Sequence, residues 1–117
     1  MHEFAEELRH RTVRYLLRII ATCRRLSDQW IEREIGKQLL RAGMGVTGNY
    51  WSACRGRSDK KFIAKPGVAI AKLGVAVDEA DESVLWLTAM TQSGVQTDVE
   101  TRSLQGEGRE IRVSPIR

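Results

Sequence analysis

EFAEELRHRTVRYLLRIIATCRRL, residues 3–26, contains no glycine or proline. Within it Phe4, Val13, Leu16, Leu17, Ile20 and Cys23 recur at spacings of three and four, the pattern of one apolar helix face. Ser27 and Asp28 then supply a stop and an N-cap, so a second helix is expected from near Gln29. That helix turns Ile31, Ile35, Leu39, Val46 and Tyr50 inward. It also carries Gly43, Gly45 and Gly48, each costing up to ~1 kcal/mol against alanine in a helix interior. Close packing of another backbone makes such glycines tolerable.

Outward from this pair the helical reading continues. ACRGRSDKKF (53–62) reads as a break, with Ser58 or Asp59 as the next N-cap, and apolar positions recur at helical spacing from Ile70 to Met90. Gly94 is the natural C-cap. FIAKPGVAIAKLGVA (62–76) holds IAKPGVA followed by IAKLGVA, a tandem duplication of seven residues. Seven residues rotate a helix by ~700°, about 20° short of two turns, so the faces downstream keep their phase. Proline in a helix interior costs ~3 kcal/mol but is tolerated in the first turn, so the third helix should start or kink near Pro66, with residues 58–65 as a turn or separate piece. The polar remainder permits a short, frayed fourth helix from about Asp98 to Val113, stopped by Pro115. So short a helix leaves part of the core uncovered. No segment alternates as a strand does. The expectation is an all-α, antiparallel up-down four-helix bundle, with residues 1–117 as a single domain.

Composition fits this class. The chain is 42% apolar and 29% charged, an ordinary balance for a soluble domain with one modest core. No apolar run approaches the ~20 residues that span a bilayer. The N-terminus is charged where a secretory peptide is apolar, which points to a cytoplasmic protein without a membrane partner. Cys23 and Cys54 lack metal-type spacing and read as buried free thiols. His2 and His10 assemble no metal cluster. Without a nucleophile–base pair or a metal set, no enzyme, no cofactor and no small-molecule substrate is expected.

Several motifs invite a chemical reading beside a structural one. GMGVTG (43–48) fits the dinucleotide fingerprint, but that motif needs a preceding strand, so helix packing is the better account. Asp78, Glu79, Asp81 and Glu82 put like charges on one helix face, which cations such as Arg41 and Arg55 can answer. Trp30, Trp51 and Trp86 can stack on bases or pack in the core. Trp86 follows the apolar period, and of the neighbours Tyr50 and Trp51 one must face away.

The basic residues form three sets. Residues 1–61 hold 13 Lys/Arg against 7 Asp/Glu, a balance of +6, whereas residues 62–117 hold 6 against 8, a balance of −2. Arg11, Arg14, Arg18 and Arg25 share a ~60° arc of the first helix. Arg33, Lys37 and Arg41 run along one face of the second, and Arg55, Arg57, Lys60 and Lys61 cluster after it. Together they point to phosphate binding, while each run alone is also explained as a solvated face.

GKQLLRAGMGVTGNYWSACRGRSDKKFIAK (36–65), followed by DEADESVLWLTAM (78–90), resembles a family of small bacterial four-helix-bundle proteins. Its founding members are encoded in intervening sequences of 23S ribosomal RNA genes. The likeness spans roughly residues 4–95. It implies an antiparallel bundle that assembles as a homopentamer, and it brings no catalytic residues. A relative in fold, the accessory protein of diversity-generating retroelements, engages nucleic acid and a reverse transcriptase through a basic surface. Asn49, Tyr50, Arg55, Arg57, Ser58, Glu79, Asp81 and Glu82 occupy motif positions, and together with Trp86 they are expected to define fold and assembly. The expected function is therefore a non-enzymatic, oligomeric binder of RNA or DNA backbone. The alternative is an oligomeric scaffold for a protein partner such as a reverse transcriptase. Two departures stand out: the seven-residue duplication, and a fourth helix shorter and less apolar than the family's.

Overall fold

Local chemistry sets several of the helix boundaries. The computed structural model describes residues 2–55 and 66–113, with side chains from 6 to 54 and from 67 to 113. Helix α1 spans His2–Arg25, α2 Trp30–Arg55, α3 Pro66–Ser93 and α4 Val99–Val113. No strand occurs among the described residues. Between α1 and α2, the Ser27 hydroxyl accepts from the Gln29 amide at 3.5 Å, and the Gln29 carbonyl takes the first bond of α2 from Arg33. Helix α3 begins at Pro66, where the missing N–H and fixed φ cost nothing. The expected cap at Ser58 or Asp59 lies outside the described residues. Gly94 follows the end of α3 with φ of 81°, a left-handed conformation that side chains resist. Asp98 then caps α4, its carboxylate accepting the Thr101 amide at 2.8 Å.

Successive helices run antiparallel. Between α1 and α2, the Thr47 hydroxyl donates to the Thr12 carbonyl at 2.9 Å and Leu26 lies opposite Gly36. Between α2 and α3, Arg41 pairs with Glu79 and Glu82. Between α3 and α4, the Gln105 amide donates to the Thr88 hydroxyl at 2.8 Å and Arg112 bonds Asp81 at 2.7 Å. The core is an all-α bundle interior of Leu8, Tyr15, Ile19, Leu39, Val46, Tyr50, Ala76, Ala80, Leu87, Met90, Leu104 and Ile111.

The inward face of α1 is not the one its aliphatic residues mark. Leu8, Thr12, Tyr15, Ile19 and Thr22 are buried, whereas Leu17 is 58% exposed and Val13 and Ile20 are only half-buried. The true stripe sits one residue, ~100°, from the expected one. Polar residues occupy it because their groups are satisfied there. The Thr12 hydroxyl bonds the Leu8 carbonyl at 3.0 Å, and the Tyr15 hydroxyl meets that of Ser83 at 2.7 Å. On α2, Leu39, Val46 and Tyr50 are buried as expected, Ile35 is half-buried, and Ile31 faces out. Phe4 lies outside the described side chains.

Helix α4 is short but continuous, 15 residues against 28 in α3, or about 22 Å against 42 Å. Since Arg112 already reaches Asp81, the first turns of α3 extend past the end of α4. Ala69 and Ala76 are buried there, while Val68, Ile70 and Val75 are exposed.

Candidate nucleic-acid interface

The arginine arc of α1 faces α4. Arg11 bonds Glu107 at 2.9 Å and Glu110 at 3.3 Å, Arg18 bonds Glu100 through Nε at 2.9 Å, and Arg25 bonds Asp98 at 3.1 Å. Arg11 is the most enclosed, its side chain only 12% exposed, and its bond to Glu107 raises its pKa above the ordinary value. A phosphate-binding stripe was expected here. The geometry instead makes Arg11, Arg18 and Arg25 a ladder to the acidic side chains of α4 and its cap, with Arg14 alone in the arc lacking an acidic partner among the described residues. The signal for this ladder was in the sequence. Arg11, Arg18 and Arg25 are seven apart, and so are Glu100 and Glu107.

The second basic run is also paired. Arg33 meets Asp28 at 3.5 Å and Lys37 meets Glu34 at 3.3 Å, both well exposed, where such pairs are weak. Arg41 bridges to α3, bonding Glu82 and lying 3.9 Å from Glu79. The acidic block of α3 therefore finds its cations in the bundle: Arg41 for Glu79 and Glu82, and Arg112 for Asp81. Burial raises the pKa of Glu79, and the neighbouring Glu82 adds to the shift. No group of three or more His, Cys, Asp or Glu able to hold a metal occurs among the described residues.

The glycine motif 43–48 lies within uninterrupted α2. A Cβ on Gly43 would sit 2.6 Å from Ile19, and one on Gly45 would overlap the Glu79 side chain. Both are helix contacts. Gly48 faces open space.

Among the assembly residues, the Asn49 amide donates to the Gly45 carbonyl at 2.8 Å within α2. Tyr50 is buried, its hydroxyl has no partner among the described residues, and desolvation pushes its pKa up to about 12. Trp86 is half-buried and its indole N–H points to Glu82 at 3.4 Å. Trp51, ~100° round α2 from Tyr50, is 44% exposed, and the Arg9 guanidinium lies 5.3 Å from its ring centroid. Cys23 and Cys54 are not joined in a disulfide, Cys54 being buried and Cys23 half-buried with its thiol pKa raised by desolvation.

The side chain of Arg55 and all of Arg57, Lys60 and Lys61 lie outside the described residues. Their sequence nevertheless decides the charge balance. Residues 55–65 hold five Lys/Arg and one Asp, a net of +4, which equals the net charge of the whole chain. The remaining residues hold 14 Lys/Arg and 14 Asp/Glu, a net of zero.

No family model, curated protein or solved structure matches this chain. Its class rests on its own architecture, a four-helix bundle with ion-paired seams. No helix among the described residues is long and apolar enough to cross a membrane.

Proposed function

We propose that this protein is a non-enzymatic, oligomeric binder of nucleic-acid backbone, acting in the cytoplasm, with the segment 55–65 as its principal phosphate contact. The observation that supports this is the concentration of the net charge, +4, in residues 55–65, while the rest of the chain balances to zero. A short run of positive charge in an otherwise neutral chain attracts polyanions without sequence preference. Homopentamer formation follows from the resemblance to the family encoded in 23S rRNA intervening sequences. Five copies would multiply a weak contact by avidity.

A second reading, a scaffold for a partner such as a polymerase, draws support from exposed apolar side chains. Leu17, Met44, Ile70 and Leu85 are each more than half exposed. Such residues serve self-association or partner binding equally well.

Fluorescence anisotropy with a structured RNA separates the readings. Binding should be strongest near 50 mM salt and fall steeply above it. Neutralising Arg55, Arg57, Lys60 and Lys61 together should flatten the salt slope, each lost phosphate contact removing about 0.7–0.9 from it. The Arg18→Gln change should leave the slope unaltered. Absence of binding at low salt ends this reading. A protein partner that survives nuclease and high salt would favour the scaffold.

A further inference from the structure

We propose that the first turns of α3, residues 67–77, are a self-association surface that docks antiparallel on the same turns of a second copy of this chain. The contact goes beyond the function proposed above and does not rest on it, since nucleic acid takes no part.

The face exists because α4 stops early. Arg112, next to the last residue of α4, already reaches Asp81, so residues 67–77 run on past it for about three turns. Ala69 and Ala76 turn into the bundle there. Around them Val68, Ile70, Leu73 and Val75 are 51, 69, 36 and 47% exposed. A solvated helix face normally carries charge, as α4 does with six charged residues in 15. Among the 11 residues 67–77 only Lys72 is charged, and it is half-buried.

Self-complementarity selects the occupant. The tandem duplication repeats the face every seven residues, the period along which two packed helices stay in contact. It puts Gly67 and Gly74 on one line and Val68 and Val75 on another. A Cβ at either glycine would have nothing within 4 Å, so a second helix can approach closely there. In an antiparallel pair centred between residues 71 and 72, Val68 lies opposite Val75 of the second copy and Ile70 opposite Leu73, since each of these pairs is equidistant from the centre. Lys72 is ~100° round the helix from Ala71, at the edge of the contact. A face with no charge at its centre gives a polyanion nothing to hold. With Ala71 and the two glycines it presents roughly 400 Å², the size at which apolar patches mark interaction sites. Doubled across a twofold axis and completed by the polar third of a homodimer interface, that becomes about 1,200 Å², which reaches the range of stable pairs. A twofold contact joins two chains, or two five-membered rings, into an even number.

The test is light scattering on the full chain without nucleic acid. It should find an even number of 13.2-kDa subunits, unchanged by high salt because no ion pair holds the contact. Val75→Glu places a charge inside the pair and should halve that number, as should Val68→Glu. Leu17→Glu, on the exposed face of α1, should leave it unaltered. Both valines are exposed in the single chain, so circular dichroism should show their variants as helical as the parent. Crosslinking gives an independent readout. Ala71→Cys, beside the twofold axis, should be joined into a pair by a short bis-maleimide, whereas the parent, with Cys23 and Cys54, should not. A monomeric parent, an odd-numbered assembly such as a lone ring of five, equal effects of Val75→Glu and Leu17→Glu, or an uncrosslinked Ala71→Cys chain would overturn the assignment. RNA anisotropy reads the backbone-binding function alone, so failure of that function is recognised separately.

Discussion

Helix α4 is held against α1 and α3 is held against α2 by different means. Across α1–α4, Arg11, Arg18 and Arg25 reach to Glu107, Glu110, Glu100 and Asp98 along the rim of the seam. Across α2–α3, Gly45 admits the Glu79 side chain against the helix backbone, and Arg41 answers the acidic block. The first seam ties a short helix at its edges, while the second brings two long helices close. The contrast teaches that a basic run acquires meaning only from the helix it faces.

The largest test of this contrast is in the core. Leu104 on α4 and Leu39 on α2 are both fully buried, so either alanine variant should lose about 2–5 kcal/mol in denaturant titrations. A near-neutral Leu104→Ala would mean that the ion pairs alone retain α4.

Glycine substitutions test the seams by sign. A Cβ at Gly108 would overlap the Tyr15 hydroxyl, and Tyr15 is buried and bonded to Ser83, so it cannot swing away. Gly108→Ala should therefore destabilise by about 1–3 kcal/mol despite alanine's better helix propensity. Gly48→Ala meets nothing and should stabilise by roughly 0.5–1 kcal/mol. Thermal melts showing the same sign for both would contradict the packing described.

Asp98 gives a smaller effect with a pH signature. Its hydrogen bonds from Thr101, then the contact with Arg25, hold its carboxyl below the ordinary value of 3.8. That stability is present in full above the unfolded value, begins to fall below about pH 4, and is gone once pH has dropped through the lower folded value. Glu79, raised by burial, has the opposite sign: its ionisation as pH rises disfavours the folded state. Asp98→Ala should cost about 0.5–2 kcal/mol at neutral pH, whereas Asp98→Asn keeps most of the cap and flattens the acid limb. The smallest effect belongs to Arg18→Gln. An exposed pair is worth under about 1 kcal/mol, and the difference from the parent protein should vanish as salt is raised.

The helices, their order and their boundaries among the described residues were legible in the chain. Pro66, Gly94 and Asp98 mark boundaries through backbone geometry and local hydrogen bonds, which depend on near neighbours only. The glycines at 43 and 45 were legible as packing positions for a similar reason, since a helix interior accepts glycine poorly without a close neighbour. The inward face of α1 was less so. Thr12, Tyr15 and Thr22 look polar until Ser83 and the helix's own carbonyls are placed beside them. The arginine arc was read correctly as one face of a helix, but its occupants on α4 lie more than 70 positions away in the chain. The outward turn of Trp51 was legible as well, since the helical period had already turned its neighbour Tyr50 inward, where it is buried.

By itself the sequence determined an all-α bundle, the stops of α1 and α3, the starts of α2 and α4, and the net charge of +4 with its place in residues 55–65. These follow from short-range sterics, periodicity and simple counting. Only the tertiary structure decided that three arginines of α1 belong to α4 and that threonine and tyrosine line the core. Each of these depends on which distant group completes a charge or hydrogen bond, and that is settled when the helices pack.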